Sequence, residues 1–394
     1  MKINYISIFL LSLAVFLLSN CEKNEIQPQD TYQCSFSFAD SSASHPKAAI
    51  YQEIIDRNQK NELMGVSLMV KDRDGVWLGA SGKADLASNL SVNPCNPFLI
   101  ASISKVFTAA SIFVYVDQGK LSIEDSVTKW LPASVTDRMK NANESQIKHL
   151  LAHTSGIADY YTTQFELDRL NNVNNHWTHE EILTYAYGKN PTHEVGETYY
   201  YSNSNYLLLG MILEAVSNKS LREVYHETIF DPLGLESAYF ITKDPLPDGI
   251  VKGYVDLYGD GKLVESSFLY KDEMSTGDGG IAINAYDLGF FMEALMKGQI
   301  ISTSSLSQMT DWFDLPEGWE DETFGHFQNG YGLERQKTPY GTNVGHTGGI
   351  DGFLTVAQYF PAEDMTIILL INQADYEMPA RVQIYDEVLE EMFE

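Results

Sequence analysis

A serine three residues ahead of a lysine can be a nucleophile that carries its own base, and this spacing occurs at Ser44, Ser102, Ser126 and Ser145. On a helix, positions i and i+3 share a face, so the lysine nitrogen reaches the hydroxyl. Ser102-Ile-Ser-Lys105 opens the most apolar helical stretch of the chain, expected over Leu99 to Asp117 and stopped by Gly119. The free N–H groups and dipole of a helix start favour a developing oxyanion. Burial would lower the Lys105 ammonium toward a usable base. Ser44 falls in a polar leader, and Ser126 and Ser145 in polar, loop-like stretches. No Gly-x-Ser-x-Gly occurs, so a nucleophile elbow is not supported.

Two further short motifs follow in order. Tyr201-Ser-Asn203 is the only Tyr-x-Asn, and His346-Thr-Gly348 the only His/Lys-Thr-Gly. Around them stand Leu150-Leu-Ala-His-Thr-Ser-Gly156, Tyr201-Ser-Asn-Ser-Asn-Tyr-Leu-Leu-Leu-Gly210, Asp231-Pro-Leu-Gly-Leu235 and Gly345-His-Thr-Gly-Gly-Ile-Asp-Gly-Phe353. With these motifs the sequence resembles, over roughly residues 47–390, the serine β-lactamase-related family of class C β-lactamases, D-alanyl-D-alanine carboxypeptidases and related esterases of the penicillin-binding type.

The resemblance implies a serine hydrolase in which Ser102 attacks a carbonyl and forms an acyl-enzyme, with Lys105 or Tyr201 taking its proton. It leaves open which of the two is the base. Tyr201 has an ordinary pKa near 10, which a neighbouring ammonium would lower. Asn203 would orient Lys105 and the substrate amide. His346, Thr347, Gly348 and Gly349 would form the substrate-binding strand, with the Ser102 and Gly349 N–H groups as oxyanion hole. Thr347 would bond a substrate carboxylate, with Arg335 as a possible helper. His346 in the place of the more usual lysine favours a carboxypeptidase-like peptidase. A class C-like β-lactamase, a small-ester hydrolase and an inactive penicillin-binding sensor stand as alternatives. No cofactor or metal is expected: His149 and His153 are four apart, but HExxH is absent and no third ligand is placed, so a structural hydrogen-bonding role is preferred.

The elements that must position these groups follow from periodicity. Lys47–Asn61 reads as a helix with Ile50, Ile54 and Ile55 on one side. Asp74-Gly75 joins two apolar runs, 65–71 and 76–80, as a hairpin. Residues 121–218 read as helix and loop, 354–359 and 365–372 as buried strands, and 376–393 as a final helix. Strands at both ends with helices between predict an α+β fold (often filed as α/β). It would be an antiparallel sheet built from both termini, flanked by helices, with a mostly helical insertion of the β-lactamase/transpeptidase-like kind. The expected division is an α/β domain of 46–115 and 270–394, and a helical insertion domain of 116–269.

The leader carries its own signals. Lys2 and the apolar run Ile6–Leu18 read as a signal peptide over 1–20, too short to span a bilayer comfortably. Leu18-Ser19-Asn20-Cys21 resembles a bacterial lipobox, although Asn20 departs from the usual Gly, Ala or Ser. Cys21 is therefore expected to carry lipid, with 21–45 as a flexible tether, making an exported lipoprotein in the periplasm or at the outer membrane. Cys34 and Cys95 are then left to pair as a disulfide in an oxidising compartment. The chain's 394 residues suit one large composite domain or two. A net charge of −28 with no basic run excludes a phosphate-backbone footprint, hence no nucleic-acid partner. The expected partner is a small-molecule or peptidoglycan-peptide substrate, membrane contact runs only through the lipid anchor, and a monomer is expected.

Overall fold

The computed structural model describes residues 42, 44–247, 249–269, 275–316, 327–374 and 379–394. The expected signal peptide, Cys21 and Cys34 lie outside them, while Cys95 is buried. Helix α1 (Ala48–Glu62) precedes the strands β1 (Gly65–Asp72), β2 (Gly75–Asp85) and β3 (Leu90–Ser91). The chain returns to the same sheet with β4 (Phe313–Asp314), β5 (Phe327–Asn329), β6 (Glu334–Thr338), β7 (Gly341–Ile350), β8 (Phe353–Phe360) and β9 (Met365–Ile371). The spatial order is β3-β2-β1-β9-β8-β7-β6-β5-β4, with antiparallel neighbours throughout. The hairpin at Asp74-Gly75 pairs Asp72 with Gly75, and the two chain ends meet where Leu68 faces Leu369.

Strand side chains alternate between faces. Val66, Leu68 and Val70 of β1 and Ile367, Leu369 and Ile371 of β9 meet one core, while Met69, Ile368 and Leu370 meet the other. Because both faces are covered, β9 reads as an unbroken apolar run rather than an alternating one. The outer face is closed by α1 through Tyr51, Ile54 and Ile55 and by the terminal helix Pro379–Phe393 through Ile384, Tyr385, Val388 and Leu389. The i, i+3, i+4 spacing of these residues gives each helix its apolar stripe.

The inner face carries the helices between the two strand sets. Helix α2 (Ser104–Asp117) and helix α3 (Asn203–Ser217) pack together, and Phe107 of α2 stacks on Phe291 of the helix Ala285–Met296 at 3.7 Å. That helix lies directly on the sheet, with Gly289 against Met69. Among the described residues, no helix is long and apolar enough to cross a membrane.

The helix expected from Leu99 begins later. Phe98 and Leu99 pair with Ile283 and Ala282 as a short strand, residues 101–103 form a single 3-10 turn, and the α-helix starts at Ser104. Ala101 explains the break, because its φ of 48° is left-handed and cannot continue a right-handed helix.

Candidate active site

Ser102 stands in the 3-10 turn and Lys105 in the first turn of α2, so the i, i+3 geometry survives the shifted helix start. Lys105 Nζ lies 3.0 Å from Ser102 Oγ, 2.9 Å from Asn203 Oδ1 and 2.9 Å from the Asp278 carbonyl oxygen. Lys105 is fully buried. Burial pushes its ammonium down to about 8, opposed by the carboxylates of Asp278, Asp159 and Glu334.

Tyr201 arrives on the segment just before α3 and donates its hydroxyl to Ser102 Oγ at 3.0 Å. The Lys105 nitrogen lies 5.0 Å from the centre of the Tyr201 ring. The expectation that this ammonium lowers the tyrosine is overturned. Burial raises the phenol well above its ordinary value, and the Ser102 hydrogen bond opposes this only in part. Tyr201 is therefore held as a proton donor rather than a phenolate.

Several further groups fix the triad. His153 has a φ of 55°, accepts the Ser202 N–H through Nδ1 at 3.1 Å, and stacks on Tyr201 at 4.4 Å. Burial keeps it well below its ordinary pKa, hence neutral. This is the structural hydrogen-bonding role expected for it. His149 accepts the Gln146 N–H at 3.1 Å in a helix cap. Asp159 takes the Asn203 N–H on one oxygen at 3.1 Å and the Asn203 side-chain amide on the other at 3.0 Å. With its NH₂ so held, Asn203 must turn its oxygen to Lys105. Burial, reinforced by Asp278, raises Asp159 to about 6. Asp159 escapes detection because 44 residues separate it from its partner; its place in Gly156-Ile-Ala-Asp159, just after the His-Thr-Ser-Gly run, is the only signal.

The third motif lies on β7 beside the nucleophile turn. A Cβ on Gly348 would stand 2.4 Å from the Ile100 carbonyl, so only glycine lets the strand approach this closely. Gly349 and Ser102 line the same cleft of about 220 Å³. His346 and Thr347 are not among its lining residues. His346 donates a ring N–H to the Thr347 carbonyl, and its Nε2 is 3.7 Å from Glu334. Arg335 is engaged by Gln328, with its Nε at 2.9 Å, and lies over the Trp312 ring. The structure thus joins Ser102, Lys105, Tyr201, Asn203 and Gly349, places Thr347, expected to bond a substrate carboxylate, outside the lining of the cleft, and leaves its expected helper Arg335 and the strand residue His346 engaged elsewhere. Among the described residues, no cluster of His, Cys, Asp and Glu is arranged to hold a metal.

Known proteins resemble the chain in sequence and in fold. The chain is 28% identical over 331 residues to penicillin-binding protein 4* of Bacillus subtilis, covering 80% of this chain and 70% of that one. A 183-residue stretch is 30% identical to protein flp of Staphylococcus aureus, covering 46% of this chain but only 36% of flp. Among solved structures, a penicillin-binding protein homologue of Pyrococcus abyssi superposes with a TM-score of 0.74 at 27% identity, over 87% of this chain and 77% of that one. A D-stereospecific amidohydrolase of Streptomyces shares the fold, with a TM-score of 0.76 at 23% identity over 87% and 98% of the two chains. The family model described as Beta-lactamase matches residues 51–390, and the chain belongs to this family of serine hydrolases.

Proposed function

We propose that the protein hydrolyses a small amide or peptide through an acyl-enzyme on Ser102, with Lys105 as general base and Tyr201 as the acid that protonates the leaving group. The observation that carries this is the convergence of Lys105 Nζ and Tyr201 Oη on Ser102 Oγ, both at 3.0 Å. With Lys105 near 8, about a tenth of it is neutral at pH 7 and able to accept the serine proton. The raised phenol keeps its proton to give away. Ser102 and Gly349 flank the cleft where the oxyanion would form. The test is steady-state hydrolysis of a small-amide panel by wild type and Lys105→Arg. Arginine stays charged and cannot act as base, so undiminished turnover by the variant would refute the assignment.

The second reading is a D-alanyl-D-alanine carboxypeptidase, favoured by Thr347 at the strand beside Ser102 and by the penicillin-binding protein 4* relative. It requires a carboxylate anchor. A D-Ala-D-Ala peptide and its C-terminal amide, assayed side by side, separate the readings: a carboxypeptidase prefers the free acid by more than tenfold.

Export and anchoring belong to the same proposal. Lipid on Cys21 would send the mature protein to the detergent phase, and Cys21→Ser would release it. A Cys34–Cys95 bond would appear as the loss of two titratable thiols in unreduced, denatured protein.

A further inference from the structure

The cleft in front of Ser102 has walls of two kinds. Tyr160, Tyr161, Phe165 and Ile350 make an apolar, mostly aromatic side, and Asn203 and Asp278 face the same space. Among the described residues, neither lysine nor arginine lines it. Arg169, near Tyr161, is ion-paired with Asp351. Among the described residues, the cation at the nucleophile is Lys105, which is fully buried and has burial working against its charge.

Asp278 is the unusual member. It is 8% exposed, and its Oδ2 accepts the Tyr160 hydroxyl at 2.7 Å. Its Oδ1 is buried without a hydrogen-bond partner among the described residues. A desolvated carboxylate oxygen without a donor is costly, and a ligand that supplies one recovers that cost. Asp159 and Glu334 add negative potential around the same lysine. A carboxylate beside aromatic rings suits an ammonium group, because the ring faces attract cations and the carboxylate accepts their protons.

We propose that Asp278 and the Tyr160–Tyr161–Phe165 wall form a subsite for the α-ammonium group of the substrate's acyl part. The substrates are then amides of free α-amino acids, or peptides attacked at their N-terminal residue, with an apolar side chain against the rings. The cleft's modest volume fits one residue on this side of the scissile bond. The inference rests on Ser102 being the nucleophile, and it excludes a substrate carboxylate at this subsite.

The test compares phenylalanine 4-nitroanilide in both enantiomers with its N-acetyl derivative and with 3-phenylpropanoyl 4-nitroanilide. Assays run at pH 7, where an α-amine is mostly protonated. In wild type, one enantiomer of the ammonium substrate should exceed both neutral analogues in kcat/KM by at least tenfold. A smaller ratio overturns the proposal. In Asp278→Asn the ratio should fall by at least fivefold, and an unchanged ratio overturns it too. Any change in Lys105 acts on all substrates alike and cancels in the ratio. If that variant fails to fold, wild type alone decides. Phenethylammonium should slow fluorophosphonate labelling of Ser102 and 3-phenylpropanoate should not; the reverse order sinks the subsite. Labelling at Ser102 without ammonium preference would reject the subsite and keep the nucleophile, whereas no labelling at Ser102 would reject the nucleophile itself.

Discussion

The two faces of the central sheet differ in what they bury. The outer face, under α1 and the terminal helix, is closed mainly by aliphatic and aromatic contacts, with buried polar contacts where Asp72 at the end of β1 binds Tyr51 and His45 and where Asn343 of β7 binds Tyr385 and Gln336. The inner side leads to a fully buried lysine, a carboxylate oxygen on Asp278 that has no hydrogen-bond partner among the described residues, and a carboxyl group raised to about 6. The first arrangement stabilises the fold, since each fully buried aliphatic side chain contributes about 1.5–3 kcal/mol. The second opposes stability, because buried charge is costly. Preorganised charge beside Ser102 is what an acyl-transfer site needs, so the outer face supports strain held on the inner one.

The largest effects should separate the faces most cleanly. Ser102→Ala should lower kcat/KM by about 10³-fold or more with little change in Tm. Leu389→Ala, on the outer face, should destabilise the fold by about 2–5 kcal/mol in denaturant titration while turnover per folded molecule holds. If Leu389→Ala instead lost turnover at full folding, the division of labour would be wrong.

Next comes Tyr201→Phe, which removes the proton donor but keeps the ring against His153. A fall in kcat of about 10²–10³-fold is expected, and near-normal turnover would leave Tyr201 a mere packing group. A pH profile then sharpens the electrostatic part. Lys105 must lose its proton to act, so kcat/KM should rise with pH and reach half its plateau near pH 8. The Asp278 carboxylate raises Lys105, so Asp278→Asn should move this midpoint to lower pH. A midpoint that moves up, or not at all, would show that another group titrates. The smallest effect belongs to His346→Asn. With its ring bonded to Thr347 and near Glu334, turnover should change by less than about threefold. A large rise in KM for an anionic peptide would give His346 a part in holding a substrate carboxylate.

Much of this was readable from residue types and spacing. The hairpin at Asp74-Gly75 and the buried run of β9 depend on local pattern, and the fold places them as that pattern implies; the motifs bring Ser102, Lys105, Tyr201, Asn203 and Gly349 together but leave His346 and Thr347 outside the cleft. What stayed hidden depends on contacts between distant segments. Ala101 looks like an ordinary helix former, yet its left-handed φ makes the helix begin at Ser104. Asp278 lies 173 residues from the lysine whose nitrogen its carbonyl binds, so no spacing rule could find it. The Tyr201 phenol departs from the expectation for a related reason. A nearby ammonium and complete burial push a phenol in opposite directions, and only the packed structure shows that burial prevails.

The central claim is that Ser102 is the group acylated. Treating the protein with a fluorophosphonate and mapping the adduct by peptide mass spectrometry tests it directly. The account predicts a single adduct on the peptide carrying Ser102, absent in Ser102→Ala and slowed in Lys105→Arg. An adduct of equal yield in Ser102→Ala, or one mapped to another serine in wild type, would contradict it.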